Sequence, residues 1–231
     1  MTLSPTPLRG IRAAIVDLDG TLVDTLGDFD AALNLSLAEL GRPAVERSAI
    51  ERMVGKGSMH LLRSALAHGG LDELATQALL DEAWAIYQRH YRAVNGSLSE
   101  LYPGVLEGLD ALRAQGLPLA CLTNKPLAFA RELLERKGLA PHFQHTFGGD
   151  SFARSKPDPL PLLETCRALG SEPARTLMVG DSLNDALAAR GAGCPVVLVT
   201  YGYNHGEPVH EVDADGFLDR LDALPQRLLP Q

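Results

Sequence analysis

Two aspartates at i and i+2, Asp17 and Asp19, follow a short uncharged apolar run and are succeeded at once by Gly20 and Thr21. The run Ala13, Ala14, Ile15, Val16 reads as a buried strand of a parallel sheet. Two carboxylates at the carboxyl end of such a strand are costly unless a cation, or catalytic work, holds them there. That edge is where open α/β sheets bind ligands. Asp17 therefore reads as a nucleophile or metal ligand and Asp19 as its acid/base partner, against the plainer reading of an Asp-Gly turn. A calcium loop is excluded: Gly20 follows Asp17 by three positions rather than five, and no Glu stands at loop position twelve.

Three further segments carry groups of the same kind. Leu122-Thr123-Asn124-Lys125-Pro126 ends a second apolar run with an N-cap and a proline. A hydroxyl and outward backbone N–H groups at a helix start are also a phosphate seat. In Ser155-Lys156-Pro157-Asp158-Pro159 two prolines restrict the backbone around Lys156, as suits a lysine that must hold one position against an anion. Gly180-Asp181-Ser182-Leu183-Asn184-Asp185 follows another apolar run, with Asp181 and Asp185 reading plainly as an N-cap and a first-turn acid. Gly-Asp-Ser-Leu also matches a serine-esterase signature, but it comes late in the chain. Gly202 and Glu207, not Asp, precede His205 and His210 by three residues, which sets Ser182 aside as a nucleophile. Gathered at one sheet edge, Asp17, Asp19, Asp181 and Asp185 would raise one another's pKa. A hard divalent cation relieves that, and an all-oxygen set suits Mg²⁺. Cation, Lys156, Thr123 and a helix N-terminus together make a site for a phosphoryl group.

The elements that must position these groups are legible as patterns. Strand-like runs at 13–17, 117–122, 146–147, 176–179 and 196–199 are joined, in the later part, by helical patterns at 105–114, 127–137, 160–169 and 183–189. This alternation predicts an α/β fold: a doubly wound, parallel, Rossmann-like core sheet. From about 25 to 96 there is no convincing strand, but amphipathic helical patterns at 28–40, 58–67 and 72–94. These predict an inserted helical cap domain, 25–99, on a catalytic core of 1–24 and 100–231, hinged at 22–27 and 95–104. Between two of the cap helices lies Val54-Gly55-Lys56-Gly57-Ser58, where flanking glycines allow close approach and Lys56 is expected to reach a substrate anion.

Composition narrows the function classes. With 231 residues, 45% of them hydrophobic, the chain can bury a full core. A net charge of −8 argues against a general nucleic-acid-binding surface. Cys121, Cys166 and Cys194 are odd in number and sit among apolar residues, so they read as buried thiols rather than a disulfide framework or zinc site. Residues 1–10 hold two prolines and no apolar stretch of the signal-peptide kind. No run approaches the ~18 residues of a membrane span, and a cytoplasmic protein is expected. The 7 histidines show no zinc spacing, and Trp84 and Tyr87 read as packing on a cap helix.

The order Asp-x-Asp-Gly-Thr, Thr-Asn, Lys-Pro-Asp and Gly-Asp-Ser-x-x-Asp resembles the haloacid dehalogenase superfamily, in its phosphatase branch, over nearly the whole chain. The helical insert is similar to that family's mobile cap of the first type. Leu122-Thr123-Asn124-Lys125-Pro126, Phe147-Gly148-Gly149-Asp150-Ser151 and Tyr201-Gly202-Tyr203-Asn204-His205-Gly206 look like the phosphoglycolate phosphatase group within it. The resemblance implies a Mg²⁺-dependent phosphomonoester hydrolase of 2-phosphoglycolate, working through an aspartyl-phosphate on Asp17 with Asp19 as acid and base. It implies Asp17, the Asp19 backbone carbonyl and Asp181 as metal ligands, with Asp185, Thr21 and Gly20 around them. Thr123, Asn124 and Lys156 would bind the phosphoryl group. A small sugar phosphate or pyrophosphate is the alternative substrate. Asp19 counts against dehalogenase and phosphonatase chemistry, and Phe29, where phosphosugar mutases usually carry His, against a mutase. A retired phosphate sensor is the rival of a different class. The implied partner is a small phosphorylated metabolite, with a monomer or homodimer expected and no nucleic acid or membrane.

Overall fold

The computed structural model describes residues 8–229; most of the 1–10 segment read above lies outside them. Six parallel strands form the central sheet: β1 (Ala13–Val16), β2 (Leu119–Leu122), β3 (His145–Phe147), β4 (Thr176–Gly180), β5 (Val196–Val199) and β6 (Gly216–Leu218). Their spatial order is β3-β2-β1-β4-β5-β6, so the chain reverses its direction of travel between β1 and β4. Such a switch opens a crevice at the carboxyl ends of the two strands. Asp17 follows β1 and Asp181 follows β4.

Strand alternation assigns the core residues to two faces. Ala14, Val16, Leu177 and Val179 pack with Val105, Leu109 and Leu133 of helices α5 (Val105–Ala114) and α6 (Leu127–Arg136). Ile15 and Met178 pack on the other side with Leu162, Cys166 and Ala189 of α7 (Leu160–Leu169) and α8 (Leu183–Ala192). Burying one such aliphatic side chain contributes about 1.5–3 kcal/mol. With both faces covered, β1 has no exposed residue, which is why its sequence is apolar throughout. The three cysteines are buried thiols, though the fold brings Cys166 Sγ within 3.8 Å of Cys194 Sγ.

Differences from the expected elements have local causes. β2 begins at Leu119 because Pro118 before it has no N–H for the ladder. The edge strand β6 is three residues long and carries too little pattern to be read. α8 runs on to Ala192, past the break that Arg190 makes in the apolar pattern, because Arg190 is engaged by Asp213 and Asp215.

Between β1 and β2 lie α1 (Leu26–Glu39), α2 (Arg47–Met53), α3 (Ser58–His68) and α4 (Glu73–Val94). α2 is the one that periodicity misses, since seven residues make under two full turns. Thr76, Leu80, Ala83, Tyr87 and Tyr91 form the buried stripe of α4 at helical spacing, and the Asp72 carboxylate caps its start by accepting from Ala75 N at 2.8 Å. Trp84 stacks on Tyr87, a packing role. The two connections to the sheet pair as a short antiparallel ribbon, Val23–Asp24 against Glu100–Leu101. Asp28, fully buried on α1, ties the second connection down by accepting from Gly96 N at 2.7 Å and Leu98 N at 2.8 Å. Among the described residues no helix is long and apolar enough to cross a membrane.

Candidate active site

Asp17 continues the line of β1, its N–H donating to Val179 O at 2.9 Å, and its carboxylate is almost wholly buried. The chain then turns back at Gly20, whose φ of +83° is left-handed and whose missing Cβ would stand 2.1 Å from Asp181 Oδ2. Only glycine lets this turn close on that acid. Asp181 Oδ2 accepts from Tyr203 N at 2.6 Å, and Thr21 Oγ1 lies 3.5 Å from Oδ1. Asp185 sits in a capping box at the start of α8: its Oδ2 takes the Ser182 N–H at 3.2 Å and the Ser182 hydroxyl at 2.9 Å. Ser182 is thus engaged in capping, and among the described residues no histidine hydrogen-bonds its hydroxyl.

Lys156 is the hub. Its ammonium has three donors and places them on Asp17 Oδ1 at 2.8 Å, Asp185 Oδ1 at 2.7 Å and Leu122 O at 2.9 Å. Asn124 fixes the lysine's backbone from both sides, accepting from Lys156 N at 3.0 Å and donating to Lys156 O at 2.8 Å. The same amide nitrogen reaches Gly55 O in the α2–α3 loop at 3.0 Å, so Asn124 serves as a clamp. Thr123 is buried at the cavity wall, its Oγ1 accepting from Lys125 N at 3.2 Å. At the start of α6 the N–H of Leu127 is engaged, donating to Asp150 Oδ1 at 2.8 Å.

Asp17, Asp181 and Asp185 each offer an oxygen within 4.8 Å of the others, all three residues buried. Burial drives the Asp17 carboxyl up from 3.8 to about 7, with Asp185 and Asp19 adding to the rise and Lys156 opposing it. Asp181 lies well above the usual carboxylate range, first from burial and then from Asp185 and Asp17. Burial pulls the Lys156 ammonium down, but Asp17 and Asp185 together outweigh it and hold it above its ordinary value. One lysine does not balance three carboxylates, so the set is short of positive charge. Hard oxygen donors in that state fit a cation. Asp185 is consumed by its donors, whereas Asp17 Oδ2 has no hydrogen-bond donor among the described residues.

Asp19 stands outside this carboxylate cluster. Its Oδ1 accepts from Lys125 Nζ at 2.7 Å, and the lysine side chain is fully buried. The ammonium also lies 4.5 Å from the ring centre of Phe29 and 4.9 Å from that of Tyr91, both on the helical insert. Lys125 is the residue that sequence reasoning passed over. Its signal was its position: a lysine beside Thr123-Asn124, just past a buried parallel strand, stands at the ligand-binding edge. Lys56, by contrast, is exposed and outside the cavity, while its neighbours Gly55 and Gly57 line it. The α2–α3 turn brings its backbone to the site and sends that side chain to solvent. The loop from Tyr201 to Gly206 backs the site: Tyr201 donates to Thr21 O at 3.0 Å, and Asn204 Oδ1 accepts from Leu183 N at 2.9 Å.

These groups face one cavity, floored by Asp17, Asp19, Lys156 and Asp181 and roofed by Val54, Gly55, Gly57, Ser58 and Leu61. A buried carboxylate with one unengaged oxygen, a lysine fixed against it and a second acid within the same cavity can together carry nucleophilic transfer with proton movement.

Residues 11–193 match the model of the haloacid dehalogenase-like hydrolases. A phosphoglycolate phosphatase of Thiobacillus denitrificans is 45% identical over 211 residues, covering 91% of this chain and 92% of its own. A plasmid-borne phosphoglycolate phosphatase of Cupriavidus necator is 44% identical over 218 residues, 94% of this chain and 93% of its own. The crystal structure of a predicted phosphoglycolate phosphatase from Haemophilus somnus 129pt superposes with a TM-score of 0.86 at 33% identity, covering 94% of this chain and 97% of that one.

Proposed function

We propose a function from one premise: the chain belongs to the haloacid dehalogenase-like hydrolases and is a phosphoric monoester hydrolase acting on small phosphorylated substrates. Its substrate is 2-phosphoglycolate and its products are glycolate and phosphate. The bond from Lys156 Nζ to Asp17 Oδ1 carries this reading, because it orients a buried carboxylate and leaves its second oxygen open toward the cavity. The names of the relatives support the choice of ester.

Asp17 Oδ2 attacks phosphorus, the phosphorus–ester oxygen bond breaks, and the Asp19 carboxyl proton passes to the departing oxygen as glycolate forms. Water then attacks the aspartyl-phosphate at phosphorus and gives its proton to Asp19. Phosphate leaves and the Asp17 carboxylate is restored. Thr123 faces the phosphoryl oxygens from the cavity wall. Lys156 orients Asp17 and offsets its charge, and Asn124 acts through Lys156 and Gly55. Mg²⁺, held by Asp17, Asp181 and the Asp19 carbonyl with Asp185 and Thr21 behind them, would neutralise charge on the phosphoryl oxygens when bound. Residues 25–99 act as the cap that excludes water from a core of 1–24 and 100–231. Phe29 puts a carbon ring over Lys125 where a mutase usually carries a titratable group.

The test is phosphate release from a panel of phosphate esters, with and without Mg²⁺. The account expects Mg²⁺-dependent turnover with 2-phosphoglycolate at the head of the panel. A sugar phosphate or pyrophosphate far ahead of it would move the substrate assignment, and no release from any ester would leave a phosphate sensor.

A further inference from the structure

The proposed reaction accounts for Lys156 but leaves Lys125 unexplained, and the two ammonium groups differ. Lys156 has all three donors on protein oxygens. Among the described residues, Lys125 Nζ has one acceptor, Asp19 Oδ1 at 2.7 Å, and otherwise the ring faces of Phe29 and Tyr91. Its side chain is wholly withdrawn from solvent, yet Lys125 is part of the cavity wall. A buried cation with donors to spare, on a cavity wall, is a receptor for an anion.

Geometry says which part of the substrate it meets. Asp19 serves the leaving-group oxygen, and Lys125 lies one hydrogen bond beyond Asp19. An ester oxygen that shares Asp19 Oδ1 with the ammonium is therefore at most two hydrogen-bond lengths from Nζ. A carboxylate one methylene away from that oxygen spans such a gap. When the Asp19 carboxyl turns to the ester oxygen, the ammonium shares or loses its one acceptor, and the incoming anion supplies another. An uncharged leaving group would leave a buried ammonium against aromatic rings alone, which is weaker support than an ion pair.

We propose that Lys125 is the specificity residue for the leaving group, pairing with a carboxylate one carbon from the ester oxygen and so selecting 2-phosphoglycolate over uncharged esters of the same shape. This rests on the 2-phosphoglycolate reading above. It replaces Lys56, whose side chain is exposed outside the cavity, in the role of anion receptor.

The test compares kcat/KM for 2-phosphoglycolate with that for its neutral amide, O-phosphoglycolamide, in the wild-type protein and in Lys125→Met. The methionine keeps the length that packs between the rings and removes the charge. The wild type should favour the carboxylate, and in Lys125→Met that preference should shrink by about 10- to 100-fold, as expected for a lost charge-assisted hydrogen bond. Lys125→Arg should retain more of it than Lys125→Met. A preference that survives in Lys125→Met, with both esters slowed alike, would assign Lys125 to positioning Asp19 and overturn the proposal while leaving the substrate reading intact. No preference in the wild type would overturn both. Should the methionine variant not fold, inhibition of p-nitrophenyl phosphate hydrolysis decides in the wild type: glycolate should compete about tenfold better than glycolamide, and equal competition would reject the proposal.

Discussion

At the scale of single residues, the site is built around charge that lacks a partner. Asp17 is raised from 3.8 to about 7 by burial ahead of all other causes, so the folded metal-free protein holds its proton more tightly than the unfolded chain does. The sign follows from linkage: this group's contribution to stability is present below 3.8 and is lost as pH rises through about 7. A divalent cation at the carboxylates reverses that loss. The rise in melting temperature on adding Mg²⁺ should therefore be larger at about pH 8 than at about pH 5. A shift independent of pH would mean that Asp17 is not at the metal. Lys156 is held above its ordinary value by Asp17 and Asp185, so its contribution is in place across the neutral range. Replacing it by Met leaves Asp17 and Asp185 without their buried counter-ion, and removing one partner of such a pair costs about 3–5 kcal/mol. Denaturant unfolding without Mg²⁺ should show a loss of that size, partly recovered when Mg²⁺ is added. A loss no greater than that of a surface lysine would remove Lys156 from the hub.

At the scale of elements, the turn after β1 sets the site's tolerance. A methyl group at Gly20 meets Asp181 Oδ2 at 2.1 Å and must also hold a φ of +83°. Gly20→Ala should push Asp181 off its place. Mg²⁺ affinity, by titration calorimetry, should then fall at least about tenfold, on top of the 1–3 kcal/mol that such strain typically costs. Unchanged affinity would show that the loop yields elsewhere. The elements also show why some of the site was legible and some was not. β1, β4 and the residues that follow them were readable, because apolar runs ending in acids carry their meaning locally. The pairing of Lys125 with Asp19 joins positions 106 apart, and no periodicity encodes which lysine meets which carboxylate. The exposure of Lys56 has the same cause: flanking glycines announce a close backbone approach but not the direction of the side chain between them. α2 and β6 went unread because seven and three residues are too few for a period to show.

At the scale of the whole molecule, two of the polar contacts between the helical insert and the sheet edge converge on one carbonyl. Gly55 O accepts from Asn124 Nδ2 at 3.0 Å and from Asn184 Nδ2 at 3.3 Å, and Asn184 also meets His205 Nε2 at 3.1 Å. Asn184 belongs to the closure of the cavity rather than to its chemistry. Asn184→Ala should loosen the α2–α3 loop, raising amide hydrogen exchange around residues 55–58 and increasing KM by about three- to tenfold, as for one lost neutral hydrogen bond. Unaltered exchange would mean that the roof is held by its apolar packing and the Asn124 bond without Asn184. The doubly wound order and the insertion point were open to sequence reasoning because strand–helix alternation is a long-range regularity. The way the roof closes was not, since it depends on two amides reaching a backbone oxygen.

The central claim is that Asp17 performs nucleophilic attack on 2-phosphoglycolate. It is tested most directly by acid-quenching the protein during turnover with 2-phosphoglycolate and Mg²⁺, then analysing its peptides by mass spectrometry, alongside Asp17→Asn. The account predicts a phosphoryl group on the peptide containing Asp17, absent from Asp17→Asn, and turnover by that variant reduced at least about a thousandfold while its melting curve stays cooperative. Full phosphate release by Asp17→Asn, or a phosphoryl group carried on another residue, would contradict it.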